Sequence, residues 1–244
     1  MGYNPGLLDL FAEWGLKSGD AVLDIGTSEL FCADDPGSLN RFLQHIGAEP
    51  YVDGELDRVA NRAFAAELFE RAGLVYRAID VTAYPNTLKI DLNTGRLPFW
   101  QRGRYDLVTN CGTTEHVLNQ LNAFRLIHDA CKVGGLMYHG VPMCGEFDHG
   151  FISYHPRFFM RLAEANAYKV VKIWAWVEDG GRADSDVAKV EVNRPIVAHD
   201  SFVQVLFRKT WRGAFRPPDD CIGYPPPTPT PTLRKRIASR SKSE

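Results

Sequence analysis

The sequence predicts a doubly wound α/β fold, a mostly parallel sheet covered by helices on both faces, with an antiparallel strand near its end. Two observations carry this. Short apolar segments of strand length alternate with helical segments through most of the 244 residues, the order expected of parallel strands joined by crossovers. The last two apolar segments are instead joined by a long charged stretch, 178–198, without a strong helical pattern, so the final strand should run back beside its neighbour.

Taken in order, residues 6–16 have apolar side chains at Leu7, Leu8, Phe11, Trp14 and Leu16, the spacing of a short packing helix. AVLDIG (21–26) is an apolar run suited to a strand buried on both faces. Ser38 opens a helical piece, 38–46, and the Ala-rich stretch 56–72 reads as one amphipathic helix closed by Gly73. Strands follow at 74–80, 87–92 and 106–111, then a helix at 116–131 broken by Gly134 and Gly135, and a strand at 136–142. A helix at 156–167 and strands at 169–177 and 201–210 complete the pattern. The expected organisation is an N-terminal helical segment, 1–19, one domain, 20–210, and a proline-rich, basic-ended tail, 211–244. The tail has too many prolines and too few apolar anchors to build a core, so it is expected to be disordered or peripheral.

Charge narrows the partners. The net charge is −2, yet residues 233–244 carry five basic side chains against Glu244, which leaves the rest at about −6. An acidic core is a poor match for a phosphate backbone, so a small-molecule substrate is expected, and nucleic acid is not expected to bind the core. The cysteines, five in number, have no paired spacing, no signal peptide is evident, and no apolar stretch is long enough to span a membrane. A cytoplasmic protein with free thiols is the expectation.

The first informative site is the strand ending Asp24-Ile25-Gly26-Thr27-Ser28. A buried strand that runs into a tight glycine turn brings backbone N–H groups to a ligand at the carboxyl edge of a sheet. A nicotinamide cofactor would want three glycines for its pyrophosphate; here Ser28 and Leu30 stand where the others would fall. An acidic Asp24 suits a cofactor carrying an ammonium group better than one carrying phosphates.

At VLDIGTS (22–28) the chain resembles the class I S-adenosylmethionine-dependent methyltransferases, whose first motif is an apolar strand running into Asp-x-Gly-x-Gly; Ser28 replaces the second glycine. The resemblance continues in order over residues 20–210. Asp80, ending the strand YRAID, matches the acidic residue that binds the ribose hydroxyls, and Asp91 in LKIDL matches the one that touches the adenine amine. YDLVTNCGTTEHV (105–117) looks like the fourth strand and its following Glu-His, which adds Asn110 and Glu115 to the expected cofactor wall. KVGGLMYHGVP (132–142) matches the segment before the fifth strand, with Val133 in place of proline. The resemblance implies seven strands, the last antiparallel, and S-adenosylmethionine as cofactor. One departure is length: 56 positions separate Asp24 from Asp80, where the family has about twenty. The insertion, about 31–53, is read as a surface elaboration, a lid or an oligomer contact, and makes Asp53 or Glu55 an alternative ribose ligand.

The acceptor should bind beyond the strand ends, at loops 110–115 and 143–155. The second, CGEFDHGFISYHP, gathers Glu146, Asp148, His149, Tyr154 and His155 among aromatic residues, the mixture a small polar substrate requires. His149, or failing it His155, is the candidate general base at neutral pH, and Glu146, Asp148 and Tyr154 are candidate substrate contacts. Asp148, His149 and His155 with Glu115 or Glu146 offer magnesium ligands, but nothing in their spacing fixes a site, so no metal is expected. The favoured activity is methyl transfer to a hydroxyl of a small polar acceptor such as a sugar. Transfer to a small amine and a non-catalytic scaffold are the alternatives.

Overall fold

The computed structural model describes residues 2–146, 148–177, 185–186 and 200–220. In chain order the elements are β1 (Gly2–Tyr3), α1 (Pro5–Glu13), β2 (Ala21–Ile25), β3 (Glu29–Phe31), α2 (Gly37–Ile46), α3 (Asp53–Ala60), β4 (Asn61–Phe64), α4 (Ala65–Arg71), β5 (Val75–Asp80), β6 (Thr87–Lys89), β7 (Tyr105–Cys111), α5 (Gln120–Ala130), β8 (Cys131–Cys144), α6 (Pro156–Asn166), β9 (Lys169–Val177), β10 (Ser185–Asp186) and β11 (Ser201–Arg208).

The large sheet has the order β10-β9-β11-β8-β7-β2-β5-β6. β2, β5, β6, β7 and β8 pair in parallel, and β11 lies antiparallel between β8 and β9. Seven strands thus form the expected mixed sheet with the last one reversed, and the two-residue β10 extends its edge. Alternate strand residues face opposite layers. Val22, Tyr76, Tyr138, Trp174 and Leu206 pack with α1, α2 and α4, while Leu23, Met137, Ile173 and Val205 pack with α5 and α6.

Local chemistry sets the helix ends. The Asn4 side chain accepts from Leu7 N (2.9 Å) and Pro5 opens α1, the arrangement that satisfies orphan donors at a helix start. Gly47 closes α2 in the left-handed region at φ 82.

Three expectations are corrected. The stretch 56–72 is not one helix: Arg62 has φ 64, and β4 pairs antiparallel with β3, Glu29 opposite Phe64 and Phe31 opposite Asn61. Helix propensity is a weak local preference, and here pairing with β3, the strand that leads into the insertion, outweighs it. β1 also pairs with β3, in parallel, so the N-terminal segment joins the two strands that flank the insertion in a small three-stranded sheet. The third concerns the tail. Residues 211–220 are not loose: Arg216 N and O bond the side chain of Asn166 at 2.8 Å each, and Asp220 receives Arg157 and Arg161. Residues 221–244, and most of the charged stretch 178–198, lie outside the described residues. No helix among the described residues is long and apolar enough to cross a membrane.

Candidate active site

The carboxyl ends of β2, β5 and β7 meet at the glycine turn. Gly26 has φ 84, and a Cβ there would lie 2.3 Å from Thr113 Oγ1, so both backbone conformation and close approach require glycine. Gly26 N donates to Ile79 O (2.8 Å) and Thr27 N to Asp80 Oδ2 (3.0 Å). The turn is thereby stitched to the end of β5. Asp80 is half-buried, accepts also from Thr82 N (2.9 Å), and stands beside the turn at the edge a ligand would cross.

Asp24 sits beneath this turn rather than on it. It is fully buried and accepts from Ser28 N (3.3 Å), the Tyr76 hydroxyl (3.1 Å) and Thr109 Oγ1 (2.9 Å). Burial pushes its carboxyl up to about 7, against the pull of these hydrogen bonds. Expected as direct cofactor contacts, Asp24 and Ser28 are both enclosed by protein. What they do is hold the turn in shape from below.

Other expected residues separate by environment. Asp91 is exposed, and its carboxylate accepts from Asn93 N (2.8 Å) and Thr94 Oγ1 (3.0 Å), bonds that hold it below the usual carboxylate range. Asn110 is a correction: it is fully buried, with its amide bonded to Thr114 N, Thr114 Oγ1 and His139 Nδ1, so it shapes the loop after β7 from inside. Tyr154 is another, buried with its hydroxyl 2.9 Å from Thr114 Oγ1 and 2.5 Å from Gln120 Oε1. His155 is the third. It is exposed, caps α6 by accepting from Arg157 N (3.2 Å), and lines a separate depression with Phe158, Arg161 and Pro218. Asp148 is exposed in the turn that carries His149.

His149 does join a cluster. Its Nε2 lies 3.3 Å from Glu115 Oε1 and its Nδ1 3.6 Å from Glu146 Oε2. His116 Nε2 is 3.9 Å from the same Glu115 oxygen, and the two imidazole rings are 4.9 Å apart. Glu115 is fully buried, and among the described residues its Oε2 has no hydrogen-bond partner. Burial raises the Glu115 carboxyl and lowers the His116 imidazole from their ordinary values. The two loops are tied together because Phe151 N and Ile152 N donate to Glu115 O (2.9 and 3.2 Å).

Glu146 connects this cluster to a cavity of about 300 Å³ at the strand ends, bordered also by Asn4, Phe31, Cys111, Trp176 and Gln204. Phe31 comes from the insertion and Asn4 from the N-terminal segment, so the small sheet contributes one wall. Sequence reasoning missed Cys111, Trp176 and Gln204. They are ordinary strand residues that only the pairing of β7, β8, β11 and β9 brings together.

No protein-family profile matches the chain, and no curated protein does. Among solved structures, a candidate methyltransferase from Bacillus halodurans aligns with 86% of this chain and 100% of its own, at 13% identity and a TM-score of 0.50. An S-adenosylmethionine-dependent methyltransferase from Archaeoglobus fulgidus aligns with 84% of this chain and 92% of its own, at 15% identity and a TM-score of 0.49. At such identities the likeness is one of fold. With the strand order above, the chain shares the doubly wound, Rossmann-like fold of the Bacillus halodurans structure.

Proposed function

We propose that the protein transfers a methyl group from S-adenosylmethionine to a small polar acceptor, through a hydroxyl of that acceptor. The observation that supports this most is the glycine turn at Gly26, hydrogen-bonded through Thr27 to Asp80 at the adjacent strand end. Thr113 packs so close to the turn that no side chain fits at Gly26, and the Asp80 carboxylate beside it offers the acceptor oxygens that a ribose diol or a cationic ammonium requires. Gly26, Thr27 and Asp80 would hold the cofactor, with Asp24 and Ser28 bracing them. When bound, the cofactor supplies an electrophilic methyl on a sulfonium together with its own leaving group.

The chain's part is then alignment and proton removal. The cavity beside Cys111 and Glu146 takes the acceptor, and Glu146 accepts from another of its hydroxyls. With the Nε2 proton of His149 directed at Glu115, Nδ1 presents its lone pair on the side of Glu146 and the cavity, where it accepts the hydroxyl proton. Calorimetry with S-adenosylhomocysteine, against NADH as control, tests the reading. Saturable binding of the first and none of the second is expected; the reverse, or heat from neither, would overturn it.

A further inference from the structure

We infer that Glu115, His116 and His149 form a binding site for a divalent transition metal of the zinc class, and that its occupation inhibits transfer. Their three donor atoms lie within 4.8 Å of one another. Around tetrahedral zinc, bonds of about 2.0–2.1 Å put neighbouring donors roughly 3.3 Å apart. The His149–Glu115 separation is 3.3 Å and the His116–Glu115 separation 3.9 Å, so a small swing of His116, which is half-exposed, completes the triangle.

Three further features fit a metal better than a chance meeting of polar groups. Glu115 is fully buried, and among the described residues its Oε2 has no hydrogen-bond partner; leaving such an atom without a bond is costly, and a carboxylate that grips a metal through both oxygens, Oε2 beside the Oε1 that faces the imidazoles, meets that cost. Glu146 Oε2 faces Nδ1 of His149 at 3.6 Å, the position from which a carboxylate orients a ligating imidazole through its other nitrogen. The ligand loops are also fixed before any ion arrives. Asn110 holds Thr114 through its backbone N and its hydroxyl, and Glu115 O receives two backbone donors from the loop of His149.

Two imidazoles and one carboxylate select a borderline divalent ion over magnesium or calcium, which want an all-oxygen shell. The set differs from the oxygen-rich magnesium grouping weighed from the sequence, and it runs against the expectation of no metal. Its consequence rests on the proposed role of His149. An imidazole whose Nε2 is bound to a metal carries its proton on Nδ1 and has no lone pair left for the acceptor's proton.

The test is titration of the metal-free full chain with Co²⁺, followed by its visible absorption. One equivalent should bind with the bands of a low-coordinate site, and Mg²⁺ should not compete. His116→Ala and Glu115→Gln should each weaken binding at least about tenfold, with melting temperatures in chelator reporting that both variants remain folded. Zinc should raise the melting temperature of the parent protein more than that of His116→Ala. The ratio of turnover with zinc to turnover in chelator should fall for the parent and stay near one for His116→Ala. Absence of stoichiometric binding, or equal binding by both variants and parent, overturns the site. Bound zinc with an unchanged turnover ratio overturns the inhibition. A protein that binds Co²⁺ as described but transfers no methyl under any condition keeps the site and removes the proposed function.

Discussion

Asp24→Asn should remove most of one arm of the protein's pH dependence of stability. The carboxyl is enclosed by Ser28, Tyr76 and Thr109, and burial raises it from 3.8 to about 7. In the folded state it therefore keeps its proton up to near neutrality, whereas in the unfolded chain it ionises near 4. Stability from this group is present below pH 4 and is lost as pH rises through 7. A shift of about three units, at 1.36 kcal/mol each, makes the loss about 4 kcal/mol over the window. His128 and His139, pushed down to about 4 and about 3 by burial, work in the opposite sense. They favour folding above their unfolded pKa and lose that contribution as pH falls. Both titrate in parent and variant alike, so the difference between the two proteins isolates Asp24. Urea unfolding at steps between pH 4 and 8, without cofactor, should show the parent losing stability relative to Asp24→Asn as pH rises. Two curves that stay parallel within about 0.5 kcal/mol would refute the account of a carboxyl held protonated by burial.

Asp80→Ala should weaken S-adenosylhomocysteine binding by about 1.5–3 kcal/mol, the worth of hydrogen bonds to a charged group, read by calorimetry; unchanged affinity would move the ribose contact elsewhere. His149→Ala, assayed in chelator, should keep cofactor affinity and lose about 10²–10⁴-fold in turnover, with the rising limb of the pH–rate profile removed. A loss of only a few-fold would point to an amine acceptor that needs alignment alone. Truncation after Tyr224 should leave melting temperature and turnover nearly unchanged, because residues 225–244 are rich in proline and poor in apolar anchors; truncation after Thr210 removes the contacts of Arg216 and Asp220 and should lower both.

The central strands were legible because burial on both faces writes a continuous apolar run, as in β2 and β7. The glycine turn was legible too, since its backbone demand leaves few residues possible. What polarity could not reveal is where a polar side chain points. Asn110, Tyr154 and His155 look like ligands in a list, yet two are consumed by bonds to Thr114 and one by a helix cap. The cavity walls were hidden for another reason. Asn4, Phe31, Cys111, Trp176 and Gln204 come from five separate stretches, and only non-local pairing joins them. The break of the Ala-rich segment at Arg62 has the same origin, because its strand exists only opposite β3.

Gly26→Ala separates the two demands placed on that glycine. Alanine at φ 84 costs about 1–2 kcal/mol from backbone strain wherever it occurs. Its Cβ would also lie 2.3 Å from Thr113 Oγ1, 3.1 Å from Cγ2 and 3.2 Å from Cβ of the same residue. Relief by rotating the threonine is only partial, since its Cβ is itself too near. The loop carrying Thr113 must therefore shift, and with it Glu115 two residues on. In a Thr113→Ala background the first two contacts vanish and the backbone cost remains. The double-mutant cycle should consequently show that Gly26→Ala is less damaging there, with a coupling above about 0.5 kcal/mol in urea unfolding. Cofactor affinity should fall in both backgrounds, because the strained turn no longer directs Thr27 N at Asp80. Equal cost in the two backgrounds would mean that the chain relaxes around the added methyl, and that the turn is held by conformation alone.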